Sequence, residues 1–458
     1  MMALDWGAAP VRHAAAALTV AAWGALCLRA WLGHRRQQRT LAGAPGDAVP
    51  SGSKPLVVAF ASQTGFAEQL ARQTASRLRT AGAAVQLLPL SQLDEAALIA
   101  AERILFIVST CGEGDAPDTA ARFARRVLSR SPTLTGLHYG VLALGDRAYQ
   151  HFCGFGRGLD AWLGANGARP LFERIDVDNA DATALAAWHH HLSHLVGTTD
   201  LPDWEGPAWD RWRLIERRRL NAGSSGGPVF HLALAPAAGR PEWESGDLVQ
   251  VRVPADPDRP REYSVASVPS DGVLELVVRL HQRADGEPGL ASSWLCEGLA
   301  VGDLLDLRLR PHMNFRLGEN AHRPLLLIGN GTGIAGLRGH LRARAARGAK
   351  GAWLVFGERQ SLHDALYGEE IDAWLADGTL ARADRVFSRD QWQRLYVQDR
   401  LRAEAARVRE SVDRGAALYV CGSLEGMAAG VHAALIEVLG SARVEALLES
   451  GRYRRDVY

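Results

Sequence analysis

LVVAFASQTGFA, residues Leu56 to Ala67, reads as an apolar strand that runs straight into a polar turn and then into a helix. A short run without charge suits a strand buried on both faces, as in a parallel sheet. The turn of Ser62, Gln63, Thr64 and Gly65, leading into Phe66 and Ala67, offers hydroxyls and backbone N–H groups at a helix N-terminus. Such a turn suits a phosphate, although a plain capped helix start would look the same. It has no lysine of the nucleoside-triphosphate type, which argues against ATP or GTP.

Further runs of this kind follow at Val85–Leu90, Ile104–Ser109, Tyr139–Leu144 and Leu171–Val177, with helical patterns between them. Residues 54–198 are therefore expected to form a five-stranded parallel sheet with helices on both faces. The third run ends in STCGEGD, from Ser109, Thr110, Cys111 and Gly112 to Asp115. The fourth ends in Gly145 and Asp146, with Tyr149, Phe152 and Cys153 just beyond. Three polar or Gly-rich turns at strand C-termini converge where open α/β sheets bind ligands.

The 458 residues allow two or three domains, and their 47% apolar and 22% charged composition is that of a globular protein. A net charge of +1 disfavours nucleic acid as a partner. The five cysteines form no C-x-x-C pair, so neither a zinc site nor a disulfide framework is suggested. Residues 1–53 are expected to be a transmembrane anchor and tether. Ala14 to Gly33 would span roughly 30 Å as a helix, about one hydrocarbon core. Arg35, Arg36 and Arg39 follow it and would leave the catalytic domains in the cytoplasm, a single-pass arrangement. A cleaved signal peptide ending at Ala42-Gly43-Ala44 is the alternative, opposed by the intervening basic stretch.

Residues 199–228, ending in NAGSSGGP, read as a linker, with Trp204, Trp209 and Trp212 as packing for an interdomain helix. From 229 to 320 short alternating strands with Pro/Gly turns suggest a small antiparallel β-barrel. From 321 to 458 the βα alternation returns. His189, His190, His191 and His194 lack Cys or carboxylate partners at ligand spacing and read as a solvated helix face, so no metal is expected.

Chemistry-bearing residues recur in these later regions. In Arg261, Glu262, Tyr263 and Ser264, an arginine can pair a pyrophosphate, a tyrosine can cover a ring, and a serine hydroxyl can bond a ring nitrogen. Gly331, Thr332 and Gly333 make a Gly-rich turn after a strand. SRDQWQRLYVQ gathers Ser388, Arg389, Arg394, Tyr396 and Gln398, and two arginines with hydroxyl donors suit a phosphate dianion. Cys421 ends a strand, and the chain closes on RYRRDVY with Asp456 and Tyr458.

Together these motifs resemble the diflavin reductase family, of the NADPH-sulfite reductase flavoprotein and NADPH-cytochrome reductase type, over nearly all of Lys54 to Tyr458. The resemblance implies a flavodoxin-like FMN domain joined to a ferredoxin-NADP reductase-like module of FAD barrel and NADPH domain. It implies that Ser62 to Ala67 hold the FMN phosphate, that the turns at Ser109–Gly112 and Gly145–Cys153 flank its ring, and that Tyr149 stacks on it. Arg261 to Ser264, Val277 to Arg279 and the turn of Gly289, Leu290, Ala291 and Ser292 would hold FAD, with Tyr458 on its ring. Gly331 to Gly333 and the Ser388–Gln398 cluster would hold NADPH. Ser264, Cys421 and Asp456 would surround the point of hydride transfer.

Some positions depart from the family pattern. Cys111 stands where many relatives have Tyr, Gly336 where many have Pro, and Gly430 where some have an acidic residue. The helical connecting domain of the relatives has no room between Asp247 and Arg261, so the linker alone is expected to orient the two flavin domains. The implied activity carries hydride from NADPH to FAD and single electrons through FMN to an external acceptor protein, by family analogy a haem protein. A membrane ferric or quinone reductase and a flavin redox sensor without turnover are the alternatives.

Overall fold

The computed structural model describes residues 54–147, 149–196, 208–283 and 286–458. Its first sheet is parallel: β1 (Leu56–Ala61), β2 (Val85–Pro89), β3 (Arg103–Ser109), β4 (His138–Gly145), β5 (Arg169–Pro170) and β6 (Ile175–Asp178). The order is β2-β1-β3-β4, and both β5 and β6 pair with β4. The expected fifth strand, Leu171–Val177, is thus two short strands sharing one edge. Side chains alternate between two cores: Val57, Ala59 and Ala61 face one, while Leu56, Val58 and Phe60 face the other. Burial on both faces is why these runs carry no polar period.

The histidine helix Ala182–Val196 corrects one expectation. His190 and His194 are exposed, but His189 is buried beside Leu185, Trp188 and Leu192 on the packed face. Burial, with Arg77 Nη1 at 3.3 Å from its Nδ1, pushes its pKa down to about 4. A depressed folded pKa means that the unfolded chain binds the proton more readily, so stability is full above the ordinary value and falls as pH drops toward about 4. His340, buried in the third unit and held down to about 3, acts in the same direction. Thermal melts are expected to fall between pH 7 and pH 4, and less steeply in His189→Leu. An unchanged pH slope in that variant would contradict this assignment.

The second sheet contains β7 (Asp210–Arg219), β8 (Val229–Pro236), β9 (Leu248–Val253), β10 (Asp256–Ser264), β11 (Leu274–Arg279) and β12 (Leu304–Arg310). It is antiparallel in the order β10-β9-β12-β7-β8-β11, and a Val265–Leu276 bridge joins its ends into a barrel. The stretch expected to be a linker therefore contains a barrel strand. Trp212 is fully buried there, 6.3 Å from Trp243, rather than packing an interdomain helix. Trp204 lies outside the described residues. β9 and β10 form a direct hairpin, leaving no space for an inserted domain.

The third sheet contains β13 (Leu325–Asn330), β14 (Ala352–Glu358), β15 (Leu380–Phe387), β16 (Ala417–Gly422) and β17 (Tyr453–Val457), all parallel in the order β15-β14-β13-β16-β17. Leu325 and Leu327 face one core, Leu326 and Ile328 the other. Arg338, buried on helix Ile334–Ala346, fixes this sheet to the barrel. It pairs with Glu275 of β11 and with Glu370, and donates to Ala266 O at 2.8 Å.

The membrane localisation expected from the sequence is corrected: among the described residues no helix is long and apolar enough to cross a membrane. The Ala14–Gly33 segment on which it rested lies outside the described residues.

Candidate functional site

β1 delivers the first turn. Ser62 is buried, and its Oγ accepts from Gly65 N at 2.8 Å and Ala67 N at 3.2 Å. Gly65 has φ +92, which favours glycine, and a Cβ there would lie 2.9 Å from Pro311 O. The turn after β3 locks onto it: Gln63 N donates to Ser109 Oγ at 3.0 Å, and Asp118 N to Gln63 Oε1 at 3.0 Å. β1 and β3 lie side by side at the point where strand order reverses, which places both turns at one crevice. Thr110 Oγ1 is buried without a partner, as suits a cradle for a polar ligand. The Cys111 thiol is pushed up to about 11 by burial and then by Asp118, so it stays protonated.

The third turn is less uniform. Tyr149 is exposed, and Phe152 lies between the guanidinium groups of Arg147 and Arg157 at 5.2 and 5.4 Å. Cys153 is not at the crevice. It is fully buried under β4, with Sγ on Ala143 O at 3.2 Å, and a Cβ on Gly145 would meet its N at 2.7 Å. Its part is to hold the turn.

The second cluster lies where the barrel meets the third sheet. Ser264 Oγ donates to Asp456 Oδ2 at 2.7 Å, and Cys421 Sγ lies 3.6 Å from the same oxygen. All three residues are buried, and burial followed by Asp456 pushes the Cys421 thiol well up, so it remains a donor. Gly336 packs close beside them: a Cβ there would lie 3.0 Å from Phe315 and 3.2 Å from Cys421 Sγ. Gly333 allows no side chain at all, since a Cβ would lie 2.0 Å from Cys421 O. Gly333→Ala is therefore expected to displace the Gly331–Gly333 turn and abolish nucleotide binding. Retained affinity for 2′,5′-ADP by calorimetry would contradict this.

Tyr458 is half-exposed, and its hydroxyl donates to Thr332 Oγ1 at 3.2 Å. Arg279 reaches Glu358 Oε1 at 2.8 Å and lies against Gly331, so Val277 and Val278, buried in β11, bring that strand to the same turn. Ser292 Oγ fastens the Gly289 turn, accepting from His281 N at 3.1 Å, while Leu290 is exposed and Ala291 buried. Arg261 is partly exposed and paired with Asp256, with Tyr263 half-buried beside it.

In the Ser388–Gln398 segment, Ser388 is buried while Arg389, Arg394 and Tyr396 are exposed. Neither arginine pairs with a carboxylate among the described residues, which leaves two cations for an anion. Gln398 Oε1 is buried without a partner. The orphaned Thr110 and Gln398 oxygens and the two arginines without a carboxylate partner fit flavin and dinucleotide cofactors.

The two clusters meet, which the sequence did not predict. Asn314 Nδ2 donates to Ser62 O at 2.7 Å and Gln63 O at 3.1 Å. His312 Nε2 lies 3.1 Å from Gln63 O, and Arg310 Nη2 donates to Thr64 Oγ1 at 2.8 Å while Arg310 also pairs with Glu262. Arg455 Nε donates to Asp118 Oδ2 at 2.8 Å. The first unit is thus held by direct contacts, not by its linker alone. Residues 310–314 carry no sequence motif. Asp118, next to STCGEGD, was the one available signal.

A sequence model described as Flavodoxin matches residues 58–190, and one described as Oxidoreductase NAD-binding domain matches residues 327–433. The chain is similar to sulfite reductase (NADPH) flavoprotein alpha-components. It is 29% identical to that of Aliivibrio fischeri, over 91% of this chain and 91% of the relative. It is 28% identical to that of Vibrio cholerae, over 90% and 89%, and 26% identical to that of Bacillus subtilis, over 91% and 92%. The first alignment runs over 551 positions, more than the 458 residues of this chain, so the relative carries sequence that this chain lacks. A flavodoxin sheet, a barrel and an NAD-binding sheet in this order, with relatives aligned along nine-tenths of the chain, place the protein among the diflavin reductases, NADPH-dependent flavoprotein oxidoreductases with the cofactors FMN, FAD and NADPH.

Proposed function

We propose that this chain draws hydride from NADPH at the Ser264–Cys421–Asp456 cluster and hands electrons singly to a separate haem protein. The observation that carries the reading is the docking of the Ser62–Ala67 turn onto residues 310–314, one side chain away from that cluster. When bound, the flavins supply hydride acceptance and one-electron exit. The chain supplies placement. Ser264 Oγ–H and Cys421 S–H are both aimed at Asp456, which fixes the cluster's donors and its negative charge in a buried site.

Further assignments belong to the same proposal. The turn at Ser62–Ala67 binds the FMN phosphate, with Ser109–Gly112, Gly145, Asp146 and Tyr149 around the ring. Arg261–Ser264, Val277–Arg279 and Gly289–Ser292 bind FAD, and Tyr458 covers its ring. Gly331–Gly333 bind the nicotinamide nucleotide, and Ser388, Arg389, Arg394, Tyr396 and Gln398 its 2′-phosphate. We place the units at 54–198 for FMN, from about 208 to 320 for FAD and 321–458 for NADPH.

The relatives are named as the alpha-component of a larger enzyme, which favours an acceptor on a separate chain. The purified protein is expected to hold FAD and FMN in equal amounts and to reduce added haem proteins with NADPH. One flavin only after reconstitution with both, or NADPH oxidation that no haem protein accelerates, would contradict the reading.

A further inference from the structure

His312 links the two halves of the site. It is fully buried on the loop after β12. Its Nε2 lies 3.1 Å from Gln63 O in the docked turn. Its Nδ1 lies 4.0 Å from Asp456 Oδ1 and has no hydrogen-bond partner. Both ring nitrogens therefore face acceptors. A carbonyl has no proton to give, so Nε2 carries the hydrogen, and a neutral ring turns the Nδ1 lone pair toward Asp456. The other groups around it are Arg310 on β12, Asp247, whose Oδ1 accepts from His312 N at 2.9 Å, and Phe315, stacked at 5.8 Å with His340 behind it. Burial and Arg310 hold the imidazole toward neutrality, while Asp456 and Asp247 oppose them.

The chemistry of the site needs such a group. A hydride brings one proton with two electrons. When the electrons leave singly to an acceptor that takes no proton, a proton must leave a buried cluster. Asp456 faces both that cluster, through Oδ2, and His312, through Oδ1.

We propose that His312 stores the proton of the hydride-transfer cluster and that docking of the Ser62–Ala67 turn closes its outlet. This rests on the reading of the site given above. As the electrons leave, the Asp456 carboxylate takes up the proton that came with the hydride, and its new O–H bond then breaks as the Nδ1–H bond of His312 forms across the 4.0 Å gap. The pair becomes carboxylate and imidazolium with no change in total charge. The Nε2–H then points at Gln63 O, which cannot pass a proton on. When the turn lifts away, water replaces the carbonyl, takes the Nε2 proton, and leaves a neutral ring. His312 is in this scheme a proton-storing, positioning residue.

The test uses the full-length holoprotein, reduced with NADPH and mixed with cytochrome c in weak buffer containing a pH-indicator dye. The wild-type protein is expected to release one proton for each pair of electrons delivered. In His312→Gln the amide still donates to Gln63 O, so docking persists, but the side chain carries no proton. Proton release is expected to slow by roughly 10²-fold, the low end of what a positioned acid–base group contributes. Equal release traces in both proteins, with matching X-ray scattering profiles, would overturn the proposal. Asn314→Ala keeps His312 but removes two of the hydrogen bonds to the turn, those to Ser62 O and Gln63 O, so release is expected to quicken as the turn lifts more often. If His312→Gln does not fold, this variant decides, and release no faster than wild type overturns the proposal. Flavin bleaching by NADPH, followed in the same samples, separates this outcome from the reading of the site: without bleaching both fall, and with bleaching only the proton store is at issue.

Discussion

Ser264→Ala is expected to slow flavin reduction by NADPH by roughly 10²–10⁴-fold, the range for loss of a positioned proton-handling group. Ser264 Oγ is the closest partner of Asp456 Oδ2, at 2.7 Å, with Cys421 Sγ at 3.6 Å from the same oxygen. Removing it leaves a buried carboxylate under-bonded, which costs about 1–3 kcal/mol. The loss falls on the cluster and not on the turns proposed to hold FMN, so FMN content should stay at the wild-type level. Stopped-flow absorbance at the flavin band measures the rate. Ser264→Thr, which restores a hydroxyl, should recover part of it. An unchanged rate in the alanine variant would remove Ser264 from the hydride site.

Arg389→Ala with Arg394→Ala is expected to collapse the preference for NADPH over NADH. Both guanidinium groups are exposed and lack a carboxylate partner among the described residues, which is why we assign them to the phosphate that distinguishes the two nucleotides. A hydrogen bond to a charged group is worth about 1.5–3 kcal/mol. Each arginine should therefore account for about tenfold or more in kcat/KM for NADPH, since ~1.4 kcal/mol is one decade. NADH lacks the phosphate, and its use should barely fall. Flavin content should not change, because neither residue lies in the proposed flavin motifs. An equal loss for both nucleotides would show that these arginines serve folding or general docking instead.

Much of the architecture was legible because burial on both faces leaves a plain mark. Strands such as Leu56–Ala61 and Leu325–Ile328 carry no polar period, and their terminal turns carry Gly and hydroxyls. β7 was missed although its signal is present. Trp212 and Leu214 point inward while Arg211, Arg213 and Ile215 are exposed, a period of two, but the Gly-rich NAGSSGGP after it reads as a domain border. His189 was misread for a similar reason. It shares the packed stripe of Leu185, Trp188 and Leu192, but it sits in a run of polar histidines of which His190 and His194 are exposed. The contact of residues 310–314 with Ser62–Thr64 joins side chains about half the chain apart and depends on how two units meet, which no local period encodes.

The central claim is that electrons leave through the flavodoxin unit after entering at the Ser264–Cys421–Asp456 cluster. Its most direct test is to strip FMN selectively and compare two acceptors, ferricyanide and cytochrome c, with NADPH as donor. The FMN-depleted protein should still reduce ferricyanide, should lose cytochrome c reduction, and should regain it when FMN is added back. Full cytochrome c reduction by the FMN-depleted protein would contradict the account.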